Sequence, residues 1–202
     1  MSECSSCGSG VKSFSLPKEK SQMIKYLDSI DENVVIQEGI KQHEILSRLN
    51  PESVNTIRII THLTNKGDVK MRSAILRMGR KNSIVDNASS GGVTVGIMPD
   101  GRLKPEGYDV KGNRYSCHPD SKIKFNEIVI PNFQKLIDNI KQMQWFLPQF
   151  RMPSWDIAID SEGNPRIVEV NMNKGQLEFH QLDNGPIFGE DTEEVLKEVF
   201  TK

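Results

Sequence analysis

Apolar and polar positions change period several times along the 202-residue chain, and each change marks an element. After the glycine-rich "CGSG", Val11 to Ser15 alternates as a short strand would. Pro17 then opens an amphipathic helix in which Met23, Ile24, Leu27 and Ile30 recur at helical spacing. "NVVIQEGI" is a continuous apolar run and predicts a buried strand, and "KQHEILSRLN" predicts a short helix stopped by Asn50-Pro51. "SVNTIRIITHLT" and "VKMRSAILRMG" predict two strands joined at Asn65-Lys66-Gly67-Asp68, a hairpin signal. "SIVDNASSGGVTVGIMPDG" reads as strand, small polar loop and strand, and residues 100–126 as an irregular hairpin excursion. Pro131 starts a long helix through Ile137, Ile140 and Met143 to about Phe146. "SWDIAIDSEGNPRIVEVNMNKG", residues 154–175, predicts two strands and a turn, followed by a loop and a C-terminal helix over "DTEEVLKEVF". The sum is an α+β chain dominated by antiparallel hairpins, with helices packed on one side.

Composition narrows the function classes. Apolar residues make up 36% and charged residues 26%, as in soluble globular proteins, and a net charge of -1 leaves no basic footprint for nucleic acid or a membrane surface. No apolar run approaches bilayer length, and the polar start "MSECSSCGSG" lacks a signal pattern, so the expectation is a cytoplasmic protein. Three cysteines cannot form a paired framework. Cys4-x-x-Cys7 has zinc-ligand spacing and Cys117-His118 could complete a site, but that pair is adjacent rather than spaced; loose thiols in a small-residue segment explain Cys4 and Cys7 as well.

The candidate chemistry lies in polar residues set on apolar strands. In the last hairpin Glu169 and Asn171 share one strand face, with Val168, Val170 and Met172 on the other. A turn at Ser161–Asn164 would set Asp156 opposite Glu169. Two carboxylates and an amide oxygen suit Mg²⁺, which would also relieve their repulsion; a solvated edge hairpin accounts equally for the acids. Arg58 in "NTIRII" and Arg77 in "AILRMG" lie on neighbouring strands, and two convergent guanidiniums make an anion site suited to phosphoryl transfer. "VDNASSGG" offers Asn87 and a glycine pair, "CGSGVKSF" offers Gly8, Ser9 and Gly10 to phosphate, and Gln37-Glu38-Gly39-Ile40 offers backbone groups to an adenine; each motif alone is permissive.

Taken in order, the glycine-rich loop, "VVIQEGI", the two arginine strands, the "N-x-x-x-G-G" loop and the final "D…E-x-N" hairpin resemble the ATP-grasp superfamily. "QHEILSRLNPESVNTIRIITH", "LRMGRKNSIVDNASSGG" and "WDIAIDSEGNPRIVEVN" are similar to its sugar-transfer-associated family, found near polysaccharide-biosynthesis genes. The resemblance implies two α+β lobes around a nucleotide cleft, with residues 1–40 part of the small lobe and 41–202 the C-terminal lobe. It implies Asp156, Glu169 and Asn171 as Mg²⁺ ligands, Gln37 to Ile40 as adenine hinge and Gly8, Ser9, Gly10 and Lys12 in the phosphate flap. Arg58, Arg77 and Asn87 would face the γ-phosphate and an acyl phosphate. The implied reaction is ATP-dependent activation of a small-molecule carboxylate, sugar-linked in this family, for attack by an amine or other nucleophile. The lysine that binds the α-phosphate in the superfamily belongs to a strand before the flap. Its absence implies either an upstream domain or partner subunit, or a catalytically silent nucleotide- or partner-binding domain. Nothing in the spacing assigns a role to His118.

Overall fold

The hairpins join into one sheet in the computed structural model, which describes residues 12, 14–80, 91–173 and 175–200. The strands are β1 (Thr56–Leu63), β2 (Val69–Met78), β3 (Val93–Ile97), β4 (Leu103–Asp109), β5 (Arg114–Tyr115), β6 (Ser154–Ile159) and β7 (Pro165–Asn171). They lie in the order β5-β4-β3-β2-β1-β6-β7, each antiparallel to its neighbours. The helices are α1 (Lys20–Asp28), α2 (Glu44–Ser47), α3 (Phe133–Gln144), α4 (Leu177–Asn184) and α5 (Thr192–Phe200). The fold class is therefore α+β with an antiparallel sheet, as the hairpin signals predicted. No helix among the described residues is long and apolar enough to cross a membrane.

Register divides the sheet into two unlike faces. Ile57 pairs with Leu76 and Ile157, Ile59 with Ala74 and Trp155, Leu76 with Val95 and Met78 with Val93. These side chains form one face, and strand alternation carries them all to the same side. Leu136, Ile137 and Ile140 of α3, with Leu46, Leu49, Phe125 and Ile128, close a single core against it. Fully burying each such side chain contributes roughly 1.5–3 kcal/mol, so this face anchors the sheet. The opposite face is polar. One row across it runs Glu169–Asp156–Arg58–Ile75–Gly96, the next runs Asn171–Ser154–Ile60–Ser73, and a third runs Thr56–Arg77–Thr94–Tyr108.

The segment after the last hairpin, expected as a loop, forms α4. The helix escapes periodicity because it is inside out: His180 and Asp183 are its buried residues, whereas Leu177 and Leu182 are exposed. Its partner is the polar face, so α3 and α4 lie on opposite sides of the sheet, not on one side as the hairpin pattern predicted. Asn184 Nδ2 donates to Ser73 Oγ at 2.8 Å and to the Ala74 carbonyl at 2.9 Å. Gly96 permits the approach, since a Cβ there would lie 2.3 Å from Asn184 Oδ1.

The chain divides into two units, Met1–Gly39 and Ile40–Lys202. In the first, α1 buries no residue, and the Lys12 ammonium lies 4.1 Å from the Tyr26 ring centroid. The strand expected over "NVVIQEGI" is absent: residues 33–40 have no regular structure, and Val35 is 88% exposed. An apolar run becomes a strand only if a neighbour takes its backbone groups, and no described residue pairs with these. The described residues of the expected Val11–Ser15 strand are not in a strand either.

Candidate functional site

Asp156 is the centre of the polar face. It is paired with Arg58 across β6 and β1, and both are buried. Arg58 grips it with a two-pronged fork, Nε to Oδ1 at 2.6 Å and Nη2 to Oδ2 at 2.5 Å. Arg77 reaches over β1 and donates from Nη1 to Oδ2 at 3.0 Å. The third prong of Arg58, Nη1, donates to Gln176 Oε1. Arg58 and Arg77 thus converge on one buried carboxylate, and Glu169 lies beside Asp156 in the same row. This changes the account of why a strand reading Ile-Ala-Ile keeps an acid: arginines on β1 and β2 offset the cost of burying Asp156.

Glu169 reaches its place through a bulge. Near the turn Pro165 pairs with Ile159 and Ile167 with Ile157; continued unbroken, that register would set Val168 opposite Asp156. The irregularity between Asp156 and Ile157 inserts one residue, so Glu169 takes the position instead. Asn171 follows two residues on, opposite Ser154 and on the same face. The turn is held by Asp160, whose backbone N–H donates to the Asn164 carbonyl at 2.9 Å and whose side chain caps Glu162 and Asn164.

The other expected site residues fall within residues 12–40 or lie outside the described residues. Gly8, Ser9, Gly10 and Asn87 lie outside the described residues, as do Cys4 and Cys7. Lys12, Gln37, Glu38 and Gly39 belong to the first unit, where Gln37 to Gly39 are exposed; Ile40 begins the second. His118 accounts for itself structurally, with Nε2 3.0 Å from the Gly79 carbonyl and Nδ1 accepting weakly from the Asp120 and Ser121 backbone.

A model of the sugar-transfer-associated ATP-grasp family matches residues 14–197, which include Arg58, Arg77, Asp156, Glu169 and Asn171. The chain belongs to this family. Comparisons with curated proteins and with solved structures found no match. Membership in an ATP-grasp family carries nucleotide binding and ATP-dependent, ligase-like chemistry linked to sugar transfer, and the fold generally uses ATP with Mg²⁺.

The donors present fit a hard cation. Among the described residues no three His, Cys, Asp or Glu side chains are grouped to hold a metal. The candidate set here is two carboxylates and an amide. Among the described residues the Glu169 carboxylate has no hydrogen bond or ion pair, the Asn171 amide nitrogen is buried without a partner, and Asp156 Oδ1 accepts one bond, from Arg58 Nε. That leaves oxygen lone pairs on the two carboxylates, with the Asn171 amide on the same face, for an ATP-grasp Mg²⁺.

Sequence reasoning missed a second group on this face, all brought in by α4 or its start. His180 Nδ1 lies 2.8 Å from Ser73 Oγ, and burial, aided by Arg58, pushes its pKa down to about 3, so the ring is neutral. Asp183 is buried beside Thr94 and Lys104. Burial pushes its carboxyl up to about 7, and those two neighbours counter this only in part. The Lys104 ammonium donates to the Asp183 backbone carbonyl at 2.9 Å, and neither carboxyl oxygen has a hydrogen bond of proper geometry. The "H-x-x-D-N" spacing on one helical face was the available signal. Polar residues at i and i+3 read as a solvated face unless the sheet they meet is known to be polar.

Proposed function

We propose that the chain is the Mg²⁺- and nucleotide-handling part of a ligase that activates a carboxylate as an acyl phosphate for attack by an amine or other nucleophile, in cell-surface polysaccharide biosynthesis. The observation that carries this reading is the Glu169–Asp156–Arg58 row with Arg77 joined to it: two carboxylates and two guanidiniums in contact register on one sheet face. In this reading Asp156, Glu169 and Asn171 hold the ion, which when bound neutralises phosphate charge. Arg58 and Arg77 bind the transferring phosphoryl group and the acyl phosphate. Asp156 keeps both guanidiniums oriented, so no reorganisation is needed as charge develops. Gly8, Ser9, Gly10 and Lys12 cover the phosphates, Asn87 faces the γ-phosphate, and Gln37 to Ile40 receive the adenine, with residues 1–40 and 41–202 as the two lobes.

One observation favours a second reading, nucleotide binding without turnover: three guanidinium contacts already occupy the Asp156 oxygens. Hydroxylamine trapping separates the two. With MgATP, a panel of small carboxylates including uronic acids, and hydroxylamine as nucleophile, the ligase reading expects ADP and a hydroxamate, both lost in Arg77→Ala. MgATP binding with no ADP from any carboxylate would support the silent domain instead.

A further inference from the structure

Two buried polar atoms beside the proposed metal ligands have no partner, and they belong to residues that face one another. Ser154 stands on β6 opposite Asn171, two positions before Asp156 and on the same sheet face. Its neighbour on the other side is Ile60 of β1, which offers no polar group. Gly175 lies over both: a Cβ there would be 3.6 Å from Ser154 Cβ and 3.5 Å from Ile60 Cδ1. Ser154 is 1% exposed, and its hydroxyl oxygen is buried with no hydrogen bond among the described residues. Small size beneath Gly175 would be met equally by alanine, which buries no polar group. A hydroxyl buried without a partner is destabilising, so the serine calls for a reason of its own.

Asn171 has the complementary need. Its amide nitrogen is buried without a partner, which leaves two N–H donors unused. A carboxamide has two unlike ends, and only its oxygen end serves a hard cation. Turned over, the same side chain would set N–H donors toward the ion. In the structure the nitrogen is the buried end, and the two side chains are not bonded to each other. Facing Cβ atoms of an antiparallel pair lie about 4.5–5.5 Å apart, a span that a hydroxyl and a carboxamide bridge by side-chain rotation alone. The other acceptors in reach are the Asp156 and Glu169 carboxylates of the next row, which in the metal reading face the ion.

We infer that Ser154 is a positioning residue of the proposed Mg²⁺ site: its hydroxyl oxygen accepts from the Asn171 amide nitrogen and so holds the amide oxygen toward the ion. The inference rests on the metal reading of Asp156, Glu169 and Asn171 and adds to it an outer partner that decides which end of the amide is offered. Such partners fix the orientation of metal ligands elsewhere and carry a large share of their affinity. The role has a signature that a packing role lacks. Ser154 contributes no hydrogen bond to the fold as it stands, so its hydroxyl matters to the metal and not to stability.

The test uses the full chain with Mn²⁺ and ADP as probes, protein-bound Mn²⁺ being read by its enhancement of water-proton relaxation. The wild type is expected to bind the pair saturably, and Ser154→Ala to bind it roughly tenfold more weakly. The urea midpoint of metal-free Ser154→Ala should equal or exceed that of the wild type, since the variant removes an unpaired buried hydroxyl. Asn171→Asp offers two equivalent oxygens and no nitrogen end to orient. Adding Ser154→Ala to Asn171→Asp should therefore change its affinity by less than about twofold. Ser154→Ala within about twofold of the wild type overturns the role of Ser154 and leaves the metal site standing. A lowered urea midpoint, or the same tenfold loss in the Asn171→Asp background, overturns it too, because Ser154 would then act on the fold rather than through the amide. A wild type that binds no Mn²⁺ with ADP overturns both the inference and the metal reading.

Discussion

Replacing Asp156 with asparagine should unfold the sheet domain far more readily, although it deletes only one charge. Asp156 accepts three guanidinium hydrogen bonds, and it, Arg58 and Arg77 are each about 5–6% exposed. Removing one partner of a buried ion pair costs roughly 3–5 kcal/mol, because the remaining charge is stranded away from water. The asparagine retains one acceptor and Gln176 retains its hold on Arg58, which places the expected loss near 3 kcal/mol. For a chain of this size that corresponds to roughly 6–12 °C in Tm. Urea titration at pH 7 measures it directly, and because the cluster is buried, high salt should alter the loss by less than about 0.5 kcal/mol. A loss below about 1 kcal/mol would refute the view that the arginines and Asp156 compensate one another.

Three further outcomes follow from α4 and the turn before α5. The Asp183 carboxyl, raised from 3.8 to about 7 by burial, binds its proton more tightly folded than unfolded. Stability should therefore fall as pH rises from about 4 to about 7 and then level off, by up to about 4 kcal/mol, and Asp183→Asn should abolish that slope in urea titrations across pH. Gly96→Ala should cost about 1–3 kcal/mol and loosen α4 in hydrogen exchange, because its Cβ meets an Asn184 side chain that is itself tied to Ser73 and Ala74. Asp191, held by Lys70 and Arg72, has its pKa lowered to about 2; its contribution is present above the ordinary carboxylate range and is lost as pH falls toward 2. Asp191→Asn should accordingly flatten the acid limb of stability.

Legibility in the sequence followed the physics of each element. β1, β2 and β6 were readable because an apolar face alternates with Arg58, Arg77 and Asp156, and the Asn65–Asp68 turn fixes the pairing of β1 with β2. The Asp156–Glu169 pairing was inferred from a four-residue turn, whereas the chain reaches it through a bulge that periodicity does not show. The "NVVIQEGI" run misled because hydrophobicity was read as burial; a strand needs a partner, and Val34 to Ile36 lie exposed. The loop expected after residue 175 concealed α4, whose buried face is His180 and Asp183 rather than Leu177 and Leu182. The arginines were read as ligands for an incoming anion. Their engagement by Asp156 could not be read from strand spacing, because Arg77 reaches across β1 to a residue 79 positions away.

Calorimetric titration of MgATP into the full chain is the most direct test of the central claim that Glu169, Asp156 and the arginines form a nucleotide and metal site. The account predicts saturable binding that weakens about tenfold or more in Glu169→Gln, and by a similar factor when Mg²⁺ is chelated. Glu169 is exposed and its carboxylate has no hydrogen bond or ion pair among the described residues, so its replacement should leave the urea midpoint unchanged. Binding of equal strength in the wild type and Glu169→Gln, or no binding by either, would contradict it.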